Sequence, residues 1–202
     1  MSKRVYISAD YSEDDGDRDV VDELHAWGCD DKHKVDYIDT AEVVSGSVSE
    51  DDDCRACDLK EEFNRQINAS SAVIFIIGDK TALRTAGSSC RRLNEGAGCD
   101  CTPYKQNANG KTICKWAFTF KVDPSGDAGN VNSYSYLEHE FRQAEKKNKT
   151  IIIVYNSLNH QPSWLPPYMS KYKDAVHPFW KKNSYGEKIG DYQYIKKALG
   201  YE

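Results

Sequence analysis

The sequence predicts an α/β domain with a central parallel β-sheet flanked by helices, and three observations carry that prediction. Short apolar runs suited to buried strands recur along the chain. Amphipathic helical segments alternate with them, and the best-defined helix runs straight into one of the most apolar runs. Strand, helix, strand, helix, strand is the pattern of chains whose parallel strands are joined by helical crossovers.

Each element has its own signal. Arg4 to Ser8 (RVYIS) is a β-rich run near the start, expected to be a central strand, and it empties into the acidic, turn-rich ADYSEDDGDR. From Asp19 to Trp27, Val20, Val21, Leu24 and Trp27 share a helical face, with Gly28 as the stop. Lys34 to Ile38 is a weaker second strand, followed by a loop from Asp39 to Asp53 rich in Ser, Asp and Glu. Leu59, Phe63 and Ile67 mark the next helix, Asn68 to Ser71 close it, and Ala72 to Ile77 (AVIFII) has the composition of a strand covered on both faces.

The pattern then stops. Residues of about 82–133 are rich in Gly, Asn, Ser and charge, hold four cysteines, and are too long for a structureless loop. They are expected to be an insertion with order of its own, including a strand pair near Ile113 to Val122. Beyond it, Leu137, Phe141, Ala144 and Asn148 fall on one helical face; Ser135 and Glu138 have the spacing of a capping box. Lys146, Lys147 and Lys149 suit the negative end of that helix, and Ile151 to Val154 form a buried strand. A C-terminal extension of about 157–202 adds a loop at Trp164 to Pro167, a short strand within Val176 to Trp180 and a closing helix from Asp191 to Leu199. One domain spanning 1–202 accommodates all of this.

Composition narrows the function. Charged residues make up 29% of the 202, and the formal net charge of -5 gives no reason to expect nucleic acid as a main partner. The short stretch of Lys and aromatics from Lys171 to Lys188 does not change that. No run approaches the ~18 apolar residues of a membrane span, and the N-terminus lacks a signal-peptide layout, so a cytoplasmic protein without membrane contact is expected. Seven cysteines without a secretory signal point to thiols or metal ligation more than to disulfides. Cys54 and Cys57 form one isolated CxxC. Cys90, Cys99, Cys101 and Cys114 are a weak candidate Zn2+ set, with free or packed thiols as the default.

In an open parallel sheet, ligands bind outside the carboxyl ends of the strands where the strand order switches. The segments leaving those ends are Ala9 to Arg18, Asp39 to Asp53, Gly78 to Arg84 and the first turn of the helix carrying Glu140. A cleft near Ser8, Asp10, Tyr11, Gly78 and Glu140 is therefore expected. Glu140 lies about 60 degrees from the centre of its helix's apolar stripe, an acid at the border of the core. It is either a functional carboxylate or a solvated helix glutamate. The first loop either meets a ligand or is a surface turn whose aspartates cap the helix starting near Asp17. His139 points about 100 degrees from Glu140 along the helix, and His160 and His177 are expected to pack in aromatic, Pro-rich loops.

The segments RVYISADYSEDD, NASSAVIFIIGDKT and YLEHEFRQAEKKNKTIIIVY, in that order, resemble the TIR domain, in particular the TIR-like family of bacterial Thoeris antiphage defence. The resemblance covers about residues 3–81 and 133–156. It rests on a first strand ending in a serine-containing loop, a strand ending near Gly-Asp-x-Thr, and an aromatic followed four residues later by Glu, here Tyr136 and Glu140. Two departures stand out: the family's usual tryptophan is Tyr136, and the insertion separates Gly78 from Glu140.

The resemblance implies a flavodoxin-like TIR-type fold and cleavage of the nicotinamide–ribose bond of NAD+, with NAD+ as substrate and no bound cofactor required. It implies Glu140 as the catalytic carboxylate. Nucleotide contacts would come from Ser8, Ala9, Asp10, Tyr11, Arg18, Asp36, Tyr37, Gly78, Thr81 and Tyr136. It also implies self-association through TIR-type surfaces, the Asp39 to Asp53 loop among them, although by its residues alone that stretch reads as a flexible acidic loop, and a separate effector protein that responds to the nucleotide product. Two alternatives stand beside the enzyme: a TIR-like module that assembles without turnover, and a nucleotide sensor of flavodoxin-like architecture.

Overall fold

The computed structural model describes residues 3–11, 16–29, 35–39, 52–85 and 135–201, with side chains between 52 and 58 and at 61 excepted. In chain order its elements are β1 (Lys3–Ser8), α1 (Arg18–Gly28), β2 (Val35–Asp39), α2 (Asp52–Ala69), β3 (Ala72–Ile77), α3 (Tyr136–Lys146), β4 (Thr150–Tyr155), β5 (His177–Pro178), β6 (Trp180–Lys182), β7 (Lys188–Gly190) and α4 (Tyr192–Ala198). Two compact units are present. One comprises Met1–Thr40, Gln66–Arg84 and Phe141–Glu202; the other comprises Ala41–Arg65 and Thr85–Glu140.

The first unit is built on a five-stranded parallel sheet in the order β2-β1-β3-β4-β5. Every residue of β3 is buried, as its unbroken apolar sequence predicts. Successive side chains of a strand leave on opposite faces, so two sets of residues find two sets of partners. Val5, Ile7, Ala72, Ile74, Ile76, Ile152 and Val154 join one cluster with Val20, Val21 and Leu24 of α1 and with Phe179, Ile195 and Leu199 near the C-terminus. On the alternate positions Phe75 meets Phe141 edge to face, with centroids 5.5 Å apart. Each such fully buried side chain contributes about 1.5–3 kcal/mol relative to an exposed one.

The last forty-odd residues are part of this unit. They supply the fifth strand, the β6–β7 hairpin and α4, whose Ile195 and Leu199 enter the core cluster. The expected closing helix is present, and Asp191, expected as its first residue, caps it through a bond accepted from the Tyr194 amide. The predicted last strand shortens to two residues, and His177 lies in it instead of in a loop. At the other end of β4, Asn148 adopts φ 51 and leaves α3 in the left-handed conformation. Lys149 does not serve its own helix: its Nζ donates to the carbonyls of Asn68 (2.9 Å) and Ser70 (2.6 Å) at the end of α2.

In the second unit α3 begins as predicted, with Ser135 Oγ accepting from the Glu138 amide at 3.0 Å. Tyr136 meets Phe63 of α2 edge to face, and His139 Nε2 pairs with Asn64 Oδ1 at 2.9 Å. Removing the cap leaves a first-turn amide without its side-chain acceptor. Ser135→Ala is therefore expected to cost about 1 kcal/mol, measured as a lower denaturation midpoint at unchanged m-value. The start of α2 at Asp52 places Cys54 and Cys57 within a helix.

Candidate functional site

The strand order fixes where a ligand crevice belongs in the first unit. From β1 the chain passes by α1 to β2 on one side, while β3 and β4 follow on the other, so the order switches between β1 and β3. Just beyond the carboxyl ends of these two strands lie Asp17, from the β1–α1 loop, and Gly78. A Cβ at position 78 would stand 2.6 Å from Asp17 Oδ1, closer than carbon and oxygen tolerate, so this approach needs glycine.

Asp17 is the unexpected residue. It occupies the N-cap position of α1, yet its side chain makes no cap bond; only its backbone carbonyl receives the Val20 and Val21 amides. The carboxyl is 3% exposed and accepts from Asn156 Nδ2 at 3.0 Å. Asn156 follows β4 directly, divides its amide between Asp17 and Asp19 (2.8 Å), and accepts from Trp180 Nε1 at 2.7 Å. Burial, opposed by the bond from Asn156 and reinforced by the charges of Asp10 and Asp19, leaves the Asp17 carboxyl pushed up to about 7. Arg84 Nε is committed to Asp10 at 2.6 Å and Lys188 to Asp19 at 3.0 Å. The expectation that the loop aspartates cap α1 is thus corrected at Asp17: its acid is a buried pin between the first loop and the end of β4.

The other predicted residues have varied surroundings. Ser8 is fully buried, while Ala9 and Tyr11 are partly buried against the core cluster. Arg18 is exposed and reaches the Tyr11 carbonyl at 3.3 Å. Thr81 is buried, and its Oγ1 accepts from the Gly78 amide at 2.8 Å, so the Gly-Asp-x-Thr motif closes its own turn. Asp36 and Tyr37 do not end β2, which runs on to Asp39. Asp36 lies 3.9 Å from Arg4 Nε, Tyr37 is 6% exposed in the core, and at the strand's true end Asp39 pairs with His25 at 2.8 Å. The second strand, expected over Lys34 to Ile38, thus runs one residue further, with Asp36 and Tyr37 inside it.

Glu140 belongs to the second unit, in the first turns of α3, and is 2% exposed. The description of it as a solvated helix glutamate does not hold. Tyr136 is half-buried one turn earlier, beside Phe63.

Among the described residues, no group of three His, Cys, Asp or Glu side chains could hold a metal ion. Cys90, Cys99, Cys101 and Cys114, and the strand pair expected near Ile113 to Val122, lie outside the described residues. Among the described residues no helix is long and apolar enough to cross a membrane. No protein-family model, curated protein or solved structure matches the chain.

Asp17, Asn156 and Arg84 carried no role in the sequence beyond a possible cap. The signal for Asn156 was its position, a polar amide immediately after an apolar strand at the edge where ligands bind.

Proposed function

We propose that this chain is a cytoplasmic TIR-like enzyme that cleaves the nicotinamide–ribose bond of NAD+ to make an ADP-ribose-type signal, cyclic in the simplest case, for bacterial antiphage defence. Glu140 is its catalytic carboxylate. The observation that carries the reading is the burial of Glu140: an acid in the first turns of a helix, withdrawn from water, where a surface glutamate would be solvated. The strand order supports it, since β2-β1-β3-β4-β5 is the flavodoxin-like order with its ligand crevice at the β1/β3 switch. The proposed fold is the TIR-type version of that order, with the Cys-containing insertion of 82–133 ahead of the Glu140 helix.

The chemistry needs few groups. Nicotinamide departs from a pyridinium as a neutral molecule, so no acid must protonate it. The ribose passes through an oxocarbenium-like state, whose positive charge a single carboxylate stabilises. In this reading Asp10, Tyr11 and Gly78 meet the nucleotide, with the buried Ser8 beneath them, and a separate effector protein responds to the product.

The test is to incubate NAD+ with the purified chain, with and without a phage-derived trigger, and to identify the products by mass. Nicotinamide release that disappears in Glu140→Gln supports the proposal. Release at the normal rate in that variant overturns the assignment of Glu140, and no release under any trigger favours a module that assembles without turnover.

A further inference from the structure

A second concave site lies in the first unit, at the edge formed by β5, β6 and the start of α4. It is an open groove of about 530 Å³, and Asp191 lies at its edge as the carboxylate that orders the polar groups. Asp191 accepts from Lys181 Nζ at 2.8 Å and from His177 Nε2 at 3.1 Å while it caps α4. Burial pushes this carboxyl up, but the bonds from Lys181 and His177 outweigh that and hold it below the usual aspartate range. Because a carboxylate only accepts, His177 carries its proton on Nε2 here, and its ring is fixed against Tyr194 with centroids 4.0 Å apart. His177 Nδ1 has no partner among the described residues. Neither does the ammonium of Lys182, which also lines the groove.

Apart from Asn159, the rest of the wall is apolar. Pro178 and Trp180 form part of it, together with Leu158, a large apolar side chain left 39% exposed. The groove therefore offers a hydrophobic wall, the unpartnered Nδ1 of His177, and the Lys182 ammonium alongside the Lys181–Asp191 pair. An inorganic anion would use only the last of these, and an apolar molecule only the first.

We propose that this groove binds a small phosphate monoester with a flat organic body, of the class of a nucleoside 5′-monophosphate. The ring lies on Leu158 and Pro178, the phosphate meets the Lys182 ammonium, and a sugar oxygen hydrogen-bonds to His177 Nδ1. A phosphate monoester suits an unpartnered ammonium because it carries nearly two charges and three acceptor oxygens. The volume is within the range of small-molecule sites, about 300–1,000 Å³. The site is independent of Glu140 and of the NAD+ reading.

Isothermal titration of the full chain with AMP, adenosine and inorganic phosphate tests it. AMP is expected to bind at least about tenfold more tightly than either part alone, a separation of about 1.4 kcal/mol. Lys182→Ala and Leu158→Asp alter exposed side chains and leave the core intact, and each is expected to weaken AMP by about tenfold or more. That localisation matters, because AMP is also part of NAD+. Affinity for AMP unchanged in both variants overturns the proposal, as does the absence of AMP binding at millimolar concentration. Phosphate alone binding as tightly as AMP also overturns it, because the groove would then be no more than a cationic surface.

Discussion

Asp17→Asn is expected to become progressively more stable relative to the parent chain as pH rises from 4.5 to 8. The sign follows from the raised pKa of the parent residue. In the folded chain the Asp17 carboxyl holds its proton up to about pH 7, against an ordinary value of 3.8. Below pH 3.8 both folded and unfolded chains are protonated at this position, and its contribution is fully present. Between there and pH 7 only the unfolded chain ionises, so stability is lost as pH rises, and above pH 7 the loss is complete. The rise from 3.8 to about 7, at about 1.36 kcal/mol per pH unit, sets the scale at about 4 kcal/mol. The Asn side chain does not titrate and keeps an oxygen for the Asn156 amide, so it does not suffer this loss. About 3 kcal/mol of this falls between pH 4.5 and 8, which for a chain of this size amounts to about 6–12 °C in Tm between the ends of the range. Thermal melts of both proteins at half-unit pH steps measure it. The groups around Asp17 other than Asn156 are Asp10 and Asp19, tied to Arg84 and Lys188. A difference between variant and parent that stays flat with pH would show that Asp17 is ionised in the folded chain throughout.

That buried acid also marks where the sequence stopped being informative. The sheet was legible because AVIFII and IIIV have a composition only strands covered on both faces can use. α1 and α4 were legible as helical segments, and α3 most clearly because its apolar spacing and its cap at Ser135 agree. Asp17 was not. In sequence it is one of several acids in a turn-rich loop, and its burial depends on Gly78 and Asn156, 61 and 139 residues further on. Position within a strand was lost in the same way. β2 ends one residue later than expected, at Asp39, and Tyr37 is core within it. Lys149 followed the rule that cations favour helix C-termini, but the carbonyls it serves belong to α2, and only tertiary structure brings those to it.

Glu140→Gln is expected to lower NAD+ cleavage by about 10²–10³-fold, the scale of one preorganised electrostatic group at a developing charge. Glutamine keeps the shape and one acceptor oxygen and removes only the negative charge, so the position remains filled. The alternative for a 2%-exposed glutamate is a purely structural part in α3, and the two roles separate cleanly. A catalytic carboxylate loses rate with Tm close to that of the parent and KM little changed, because the charge acts on the oxocarbenium-like state and much less on bound NAD+. A structural glutamate loses Tm while the remaining folded protein turns over at the parental rate. Glu140→Asp sharpens the comparison. It retains the charge one methylene further back, so it should recover part of the lost rate although it packs less well than glutamine. If Glu140→Asp is as inactive as Glu140→Gln and both melt well below the parent, the carboxylate supports the fold and the reacting group lies elsewhere.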